Sequence, residues 1–472
     1  MRVVERTGST ASQSIEQEEI AWPQGLLGQL KSFFLEAAPR PMEAIAEAGA
    51  VAYLAGIVAR AYNVSGTGLN QYILALAPTS YGKDIISGGT SKLNSAICIA
   101  NGNPQHPIKD CVGPSELVSQ AGIYKWLARK PNTRIMVGEV GKLYSQITNP
   151  NNHLYGISRA LLQLYSKSGH GEIFGAQAYS KKDDVIEAIE WPAVTFIGES
   201  VPDSFYLNVD EATVRDGLFP RHLLWEFAGQ KAYANKAAGS AYPSQGLISQ
   251  LSNLAAACAA NENQKQVKHV ALTPDAEARF DEFDRWTTDV INARQLGYLA
   301  DFWGRAHLKA LKLAALAAVG ENWVEPVITL ALTNWATNLV ANQTNHIIAR
   351  IRSGEVGEEA GNQVKQQNEV IRVIREYNSR SWLENKKYHG DEAFHKHAII
   401  TFAHIQQRLS GTAAFRKDRL GASAAIERTV KSLLSADIIR EMPPKQMSEK
   451  YGKAPRAFCV SDPNIIVNGM NA

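Results

Sequence analysis

An apolar, strand-like run that leads into a short loop and then a helical pattern constrains this chain most. The run occupies residues 71–76, and the loop reads Ala77-Pro-Thr-Ser-Tyr-Gly-Lys-Asp84. In such a loop, backbone N–H groups converge on phosphates, the lysine neutralises their charge and the helix N-terminus faces the anion. The pattern is imperfect, since Ala77 replaces the usual first glycine and Asp84 replaces the hydroxyl residue that contacts Mg²⁺. We predict a phosphate-binding loop for ATP formed by Thr79, Ser80, Tyr81, Gly82, Lys83 and Asp84.

Composition indicates an ordinary globular chain. Its 472 residues are 45% hydrophobic and 20% charged, which suits two or three domains. The four cysteines lie far apart without a C-x-x-C pair, which favours reduced thiols over a zinc site or a disulfide framework. Residues 1–20 are polar and show no secretory signal, and the apolar stretch 44–62 contains Glu47 and Arg60, typical of a buried helix. We expect a cytoplasmic protein with no membrane partner.

Strand-like and helical patterns alternate through the middle of the chain. The clearest strands after the loop are residues 134–137, 193–197 and 223–227, with helical segments between them. This alternation predicts a parallel α/β sheet with crossover connections. The flanking predictions are helices at 26–36 and 42–62, a loop at 63–70, and a mostly helical region at 244–350 with helices at 276–291, 305–319 and 330–351.

The C-terminal part has a different organisation. A Gly/Glu-rich linker at 353–361 is followed by a predicted helix at 395–409 and a second helical pair at 417–420 and 424–436. A strand at 438–441, a basic loop at 443–455 and a closing strand at 457–460 complete the pattern. Helices followed by a two-stranded wing are the order of a winged-helix domain.

The positive charge of the chain is concentrated in this C-terminal segment. Residues 395–460 contain twelve basic and five acidic residues, a net charge of +7; because the whole chain carries +3, the remainder carries −4. Such concentration is typical of a surface that binds the phosphate backbone of DNA, although solvated surface charge is the simpler alternative. The candidate DNA-binding residues are Lys417, Arg419, Arg428, Lys431, Lys445, Lys450, Lys453 and Arg456.

Acidic residues follow two of the predicted strands. Glu139 is the second residue after the strand at 134–137, where a P-loop enzyme places a carboxylate that orders Mg²⁺ and polarises the attacking water. Gly138 occupies the position of the usual preceding acid, and we hypothesise that Asp84 supplies that metal carboxylate instead. Glu199 and Ser200 end the next strand and are candidate sensors of the γ-phosphate. Alternatively, Asp84 only begins a helix and Glu139 is an exposed loop acid.

Three arginines are candidates for contact with the nucleotide. Arg215 and Arg221 flank the turn before the strand at 223–227, and in ring ATPases an arginine from one subunit stabilises transition-state charge in its neighbour. Arg221 fits that role first and Arg215 second, with local pairing to Asp216 as the alternative. Arg305 begins a helix and would reach the nucleotide from the helical region, unless it is simply solvated.

In order along residues 22–323, the chain resembles the P-loop ATPases of phages, prophages and mobile elements that accompany primases. The resemblance rests on the loop, on Gly113-Pro-Ser-Glu-Leu117, on Gly138-Glu139, on Gly198-Glu-Ser-Val-Pro202 and on Asp216-Gly-Leu-Phe-Pro-Arg221. It implies an α/β fold with a RecA/AAA-like core, ATP and Mg²⁺ as cofactors, and a homo-hexameric ring. It also implies that Lys83 binds nucleotide, Glu139 is the base and Arg221 is the finger. Gly138 departs from the acid that such proteins more often have.

These features lead to one expected function and two alternatives. We expect an ATP-dependent DNA helicase or translocase for replication of a mobile element, acting on single-stranded and origin DNA with a separate primase; residues 144–156 and 168–182 are candidate pore loops. An ATP-gated replication initiator or helicase loader is the alternative, and an inactive relic is the third. The predicted organisation is a disordered tail (1–20), an N-terminal helical region (21–70), a P-loop ATPase core (71–235), a helical region (236–352), a linker and helix (353–375) and a winged-helix DNA-binding domain (376–472).

Overall fold

The computed structural model divides the chain into two compact units, Met1–Ala349 and Arg350–Ala472. It describes residues 21–176, 187–209, 211–227, 229–293, 296–352, 358–388, 390–416, 418, 421–435 and 438–460. The predicted tail at 1–20 therefore lies outside the described residues. Among the described residues, no helix combines the length and apolarity needed to cross a bilayer. The four cysteines are free thiols, as the sequence predicts.

The first unit begins with two helices and a β-hairpin. Helices α1 (Gly25–Ala37) and α2 (Glu43–Val58) pack together, and α2 is buried on all sides. The predictions of a helix to residue 62 and of a loop at 63–70 are wrong, because β1 (Tyr62–Val64) pairs with β2 (Thr67–Gly68). Ser65 and Gly66 form the two-residue turn, with φ of 44° and 78°. Positive φ at both positions is what a tight hairpin turn requires.

An all-parallel sheet of four strands forms the centre of this unit. Its order is β4 (Asn132–Val137), β7 (Ala193–Ser200), β3 (Tyr72–Leu76) and β8 (Leu223–Glu226). Every residue of β3 and β7 is buried, as expected for strands covered by helices on both faces. This mixed α/β arrangement is consistent with a Rossmann-like core and confirms the predicted parallel sheet. The intervening elements are α3 (Ile85–Ala100), α4 (Gln120–Leu127), α5 (Val140–Ile147), α6 (Tyr155–Ser166), β5 (Ile173–Phe174), β6 (Ile189–Glu190), α7 (Pro202–Leu207) and α8 (Glu211–Arg215).

The helical region packs directly on the N-terminal helices. Its α12 (Ala306–Glu321) contacts both α1 and α2 and is buried along most of its length, because Ala and Leu occupy nearly every turn. The region also contains short strands that the sequence pattern did not predict, and one of them extends the β1 hairpin. Its other elements are α9 (Gln245–Asn263), β9 (Lys268–His269), β10 (Ala271–Leu272), α10 (Pro274–Ala293), α11 (Ala300–Trp303), β11 (Val327–Ile328) and α13 (Leu330–Arg352).

The second unit is a helical cluster with a small antiparallel sheet. Three of its strands pair in the order β12 (Ile400–Thr401), β14 (Ala457–Val460) and β13 (Ile439–Glu441). Apolar residues of the helices and strands share one core, which includes Val373, Ile426 and Phe458. The helices are α14 (Glu358–Ser379), α15 (Trp382–Asn385), α16 (Glu392–His395), α17 (Phe402–Leu409), α18 (Ala413–Arg416), α19 (Ala422–Ser435) and α20 (Pro444–Tyr451).

Two predictions for this unit are wrong. The single helix expected at 395–409 is divided, because Ala398 has a φ of 55° and β12 intervenes before α17. The basic loop expected at 443–455 contains helix α20: Pro444 occupies its first turn, where no backbone donor is needed, and Gly452 ends it with a φ of 65°. Proline and glycine, which the sequence pattern suggested were loop residues, are here the two caps of a helix.

Candidate functional site

The loop between β3 and α3 has the backbone geometry of an anion-binding turn. Ser80 and Gly82 have positive φ values of 64° and 97°. Left-handed residues that alternate with right-handed ones are the backbone arrangement of an anion-binding nest. In the described part of the chain, the N–H groups of Gly82, Lys83 and Asp84 have no hydrogen-bond acceptor. Helix α3 starts directly after them, and Asp84 does not cap it with its side chain. The loop therefore presents unpaired N–H groups and a helix N-terminus at one point.

Ala77 does not disturb this geometry. The residue is fully buried, and its N–H donates to the carbonyl of Ser200 across the sheet at 3.1 Å. Its methyl group thus packs inside the protein. Thr79, Ser80 and Asp84 are exposed, whereas Tyr81, Gly82 and Lys83 are half-buried.

Lys83 and Glu139 lie together, as the sequence predicts. The Lys83 Nζ is 3.9 Å from Glu139 Oε1, and the two side chains are 17% and 51% exposed. Glu139 follows β4 and has a left-handed backbone, with a φ of 51°. A non-glycine residue in that conformation is strained, and such strain is concentrated at functional positions. The turn aims the carboxylate from the end of β4 towards the loop lysine.

Glu199 joins the same cluster from the central strand. Its side chain is buried, and its Oε1 has no hydrogen-bond partner among the residues that the structure describes. Burial raises the pKa of Glu199 to about 7; the negative charge of Asp84 adds to this shift and Lys83 opposes it. Asp84 and Lys83 therefore both act on Glu199 electrostatically. Among the described residues the Ser200 Oγ also has no partner; it is buried at the end of β7, directly after Glu199.

The carboxylates fit a magnesium ion that is shared with phosphate. The described residues contain no group of three or more His, Cys, Asp or Glu side chains able to hold a metal. Mg²⁺ needs only one or two protein carboxylates when phosphate oxygens and waters complete its shell. Asp84 and the unpartnered Glu199 satisfy that need, whereas Glu139 is directed to Lys83. Among the described residues, a Cβ atom built at Gly138 would meet no atom within 4 Å, so there is open space where a side chain would begin.

Arg221 and Arg305 lie at the opposite edge of the sheet. Arg221 precedes β8, whereas the loop follows β3, and these parallel strands run side by side. Arg221 is only 9% exposed; its Nη1 donates to the carbonyl of Gly217 at 2.5 Å, and its guanidinium lies 5.8 Å from the Tyr165 ring. Burial lowers its pKa, and the positive charge of Arg305 adds to that effect. A finger must reach a neighbouring subunit, so the buried Arg221 does not meet that requirement here.

Arg305 and Arg215 also differ from expectation. Because Arg305 acts electrostatically on Arg221 and Tyr165, it lies near the amino edge and not beside the phosphate loop. Arg215 is exposed at the end of α8, with its guanidinium 5.4 Å from the Tyr298 ring. Arg215 and Arg305 are both exposed, and of the two arginines predicted as fingers Arg215 is the one whose surface position suits contact with another subunit.

The predicted pore loops are only partly loops. Residues 144–147 belong to α5, where Tyr144 is fully buried, and residues 155–156 begin α6. The connection itself is therefore restricted to residues 148–154. In the second segment, residues 177–182 lie outside the described residues.

Four of the six predicted DNA-binding residues that the structure describes already have acidic partners within the second unit. Arg428 bonds Asp418 at 2.7 Å, and Arg456 bonds Glu427 at 2.6 Å and Glu441 at 3.0 Å. Lys453 pairs with an aspartate at 2.8 Å and Lys431 with a glutamate at 3.7 Å. Lys445 and Lys450 are exposed on α20, while Lys417 and Arg419 lie outside the described residues. Arg428 and Arg456 thus act first in holding the unit together.

Sequence reasoning missed two groups of residues. Arg40, in the α1–α2 turn, lies against the loop: a Cβ atom built at Gly82 would be 3.6 Å from the Arg40 Cβ. No local pattern marks Arg40, because its neighbour is forty residues away. The second group is Lys309 and Lys312, which are buried in α12. A signal existed here, since both lysines interrupt an otherwise apolar helix at a spacing of three residues.

Known proteins add no assignment to this geometry. No protein-family model matches the chain, and no curated protein matches it. The resemblance to the P-loop ATPases of mobile elements therefore remains a prediction.

Proposed function

We propose that this protein is an ATPase that uses hydrolysis to move along or separate DNA strands during replication of a mobile element. The observation that carries the proposal is the meeting of Lys83 and Glu139, 3.9 Å apart, beside a turn with unpaired N–H groups. A cationic lysine, a strand-end carboxylate and a backbone cradle are the parts that phosphoryl transfer to water requires. Cytoplasmic localisation remains part of this proposal.

Each polar group of the site has a role in this proposal. The loop N–H groups and Lys83 bind the β- and γ-phosphates, and Glu139 orients the attacking water and takes its proton. Asp84 and Glu199 would hold Mg²⁺, which neutralises charge on the phosphate oxygens when bound. Because β7 lies between β3 and β4, Glu199 and Ser200 stand between the cradle and the base, where they would detect the γ-phosphate.

The second unit supports the DNA-binding part of the proposal. Its helices and its sheet order are compatible with a winged-helix domain, in which α19 would be the recognition helix and α20 would take the place of a flexible wing. Lys431 on α19 and Lys445 and Lys450 on α20 supply exposed positive charge. These residues are the proposed contacts to phosphates of single-stranded or duplex DNA.

A second candidate is an ATP-gated initiator or helicase loader without unwinding activity. The burial of Arg221 favours it, because a hexameric motor needs an arginine that reaches the neighbouring site. The motor therefore depends on Arg215 as its finger, whereas the loader needs no such residue. In either case a separate primase would be the partner that begins synthesis.

ATPase and strand-displacement assays test these proposals. We expect ATP turnover that single-stranded DNA stimulates, together with displacement of a labelled strand. Lys83→Ala should abolish both activities, whereas Lys109→Ala, at an exposed lysine away from the loop, should leave both unchanged. Turnover without displacement would support the loader. Absence of turnover in the wild-type chain would overturn both candidates.

A further inference from the structure

The side of the phosphate loop that faces β8 carries aromatic and cationic residues with no role in hydrolysis. Glu139 follows β4 and Glu199 lies near the end of β7, both on one side of β3, whereas β8 lies on the other side. The γ-phosphate must face the carboxylates, so the rest of a bound nucleotide extends away from them. The sheet order therefore directs the sugar and base towards the end of β8.

An aromatic pair stands at that end. The rings of Tyr81, in the loop, and Phe227, directly after β8, have centroids 5.9 Å apart and planes inclined by 59°. The N–H of Phe227 donates to the carbonyl of Leu76 at 2.8 Å, which fixes this residue to the strand that leads into the loop. Both aromatic residues are half-buried, so part of each remains accessible.

Cationic groups border the aromatic pair. The Lys231 Nζ lies 5.4 Å from the centre of the Tyr81 ring, and Lys231 itself is exposed. Arg40 lies against Gly82, and its Nη1 donates to the carbonyl of Ala232 at 2.5 Å. Positive charge thus lies next to Tyr81 and next to Gly82, between the phosphate loop and the segment that follows β8.

The segment that carries Lys231, residues 229–241, is fixed in place. Asn235 donates to the carbonyls of Glu36 and Ala38, and its own N–H donates to Pro39 at 2.8 Å. Lys92 of α3 holds the far end through the carbonyl of Ala238 at 2.9 Å. The α1–α2 turn, the loop and this segment therefore form one supported wall, which lowers the cost of ordering on binding.

We propose that Arg40, Tyr81, Phe227 and Lys231 form the subsite for the base and ribose of a purine nucleoside triphosphate. This inference rests on the proposed nucleotide function of the same loop. The aromatic rings supply a surface for stacking, which is sequence-tolerant because every base has a π-face, and the larger purine ring covers more of it. Arg40 and Lys231 donate to ribose and α-phosphate oxygens.

The test compares two ligands that share a phosphate chain. ATP carries a base and ribose, and inorganic tripolyphosphate does not. We expect Tyr81→Leu to weaken ATP binding by roughly 5-fold or more, the range of base–aromatic stacking, and to leave tripolyphosphate binding unchanged. Tyr81→Phe keeps the ring and should bind ATP as the wild type does. Lys83→Ala should weaken binding of both ligands, and isothermal titration calorimetry measures each affinity.

Each outcome decides between the claims. Equal losses for ATP and tripolyphosphate in Tyr81→Leu would show that Tyr81 only supports the loop, and would overturn the subsite while leaving the proposed function intact. Unchanged ATP binding in Tyr81→Leu would also overturn it. Failure of the wild-type chain to bind either ligand would overturn the proposed function itself and this inference with it.

Discussion

The two edges of the central sheet both collect cations, but in opposite environments. At the carboxyl edge, Lys83 is partly exposed, faces Glu139 and adjoins backbone N–H groups without acceptors. At the amino edge, Lys309 and Lys312 are almost completely buried and donate to fixed acceptors, namely the carbonyls of His222 and Tyr165 and the Asn70 Oδ1. The donors at the carboxyl edge are therefore available to a ligand, whereas the lysines at the amino edge are already bonded to acceptors within the protein.

A basic residue in a sequence motif therefore does not indicate a ligand-binding role until its contacts in the folded protein are known. Arg221 follows a motif-like turn, yet its guanidinium is buried against Tyr165 and bonded to Gly217. Burial and neighbouring positive charge lower the pKa values of Arg221 and Lys312, which is a cost to folding. The carboxyl edge combines unpaired donors with opposite charges, which is what a phosphorylated ligand requires.

The largest expected effect is on the rate of ATP hydrolysis and concerns Glu139 at the carboxyl edge of the sheet. In the proposed function Glu139 accepts a proton from the attacking water, so we expect Glu139→Gln to lower kcat for ATP hydrolysis by roughly 10² to 10⁴. Phosphate release under saturating ATP measures it. Glu277→Gln, at an exposed glutamate of α10, is the matched control and should retain wild-type turnover. Comparable turnover in Glu139→Gln would show that the carboxyl edge is not arranged for hydrolysis by this residue.

The second prediction concerns the amino edge and pH. Burial lowers the pKa of both Lys309 and Lys312 from 10.5 to about 7. Between those values the folded state binds fewer protons than the unfolded state, so stability must rise as pH increases above about 7. The slope is at most about 1.4 kcal/mol per pH unit for each lysine.

Urea unfolding between pH 7 and pH 9 checks this prediction. The wild-type free energy of unfolding should increase over that range, and Lys309→Met with Lys312→Met together should remove most of the increase. Each single variant should remove part of it. An increase that persists in the double variant would mean that other groups, and not the buried lysines, set the pH dependence.

A smaller effect is expected from the loop carboxylate. If Asp84 holds the metal in place of an acid at Gly138, Asp84→Ala should weaken Mg²⁺-dependent nucleotide binding by about tenfold or more and leave metal-free binding unchanged. Titration of nucleotide with and without Mg²⁺ measures both quantities, with Asp281→Ala on α10 as the control. Equal binding by Asp84→Ala and the wild type would reduce Asp84 to a helix-start residue.

The smallest effect concerns the second unit. Lys445→Ala and Lys450→Ala should each lower the slope of log Kd against log salt for DNA by about 1, because each exposed lysine neutralises one phosphate. Arg428→Ala should instead lower thermal stability, since it breaks the pair with Asp418. A larger change in salt slope from Arg428→Ala than from the lysine variants would reverse this division.

The sequence predicted those parts of the site that depend on local order. Parallel strands end at the same edge of a sheet, so the loop after β3, the acid after β4 and the acid at the end of β7 lie at one edge. Lys83, Glu139 and Glu199 could therefore be grouped from the sequence alone. Arg40 and Phe227 could not, because their contacts with the loop depend on packing between distant segments. The burial of Arg221 was equally invisible, since a motif does not reveal what covers it.

Calorimetric titration of MgATP into the wild-type chain, Lys83→Ala and Lys309→Met tests whether the carboxyl edge of the sheet binds nucleotide. Both variants remove one lysine, from opposite edges of the same sheet. We expect Lys309→Met to bind MgATP as the wild type does and Lys83→Ala to lose binding. Loss of binding in Lys309→Met with retention in Lys83→Ala would place the ligand at the amino edge and contradict the central claim.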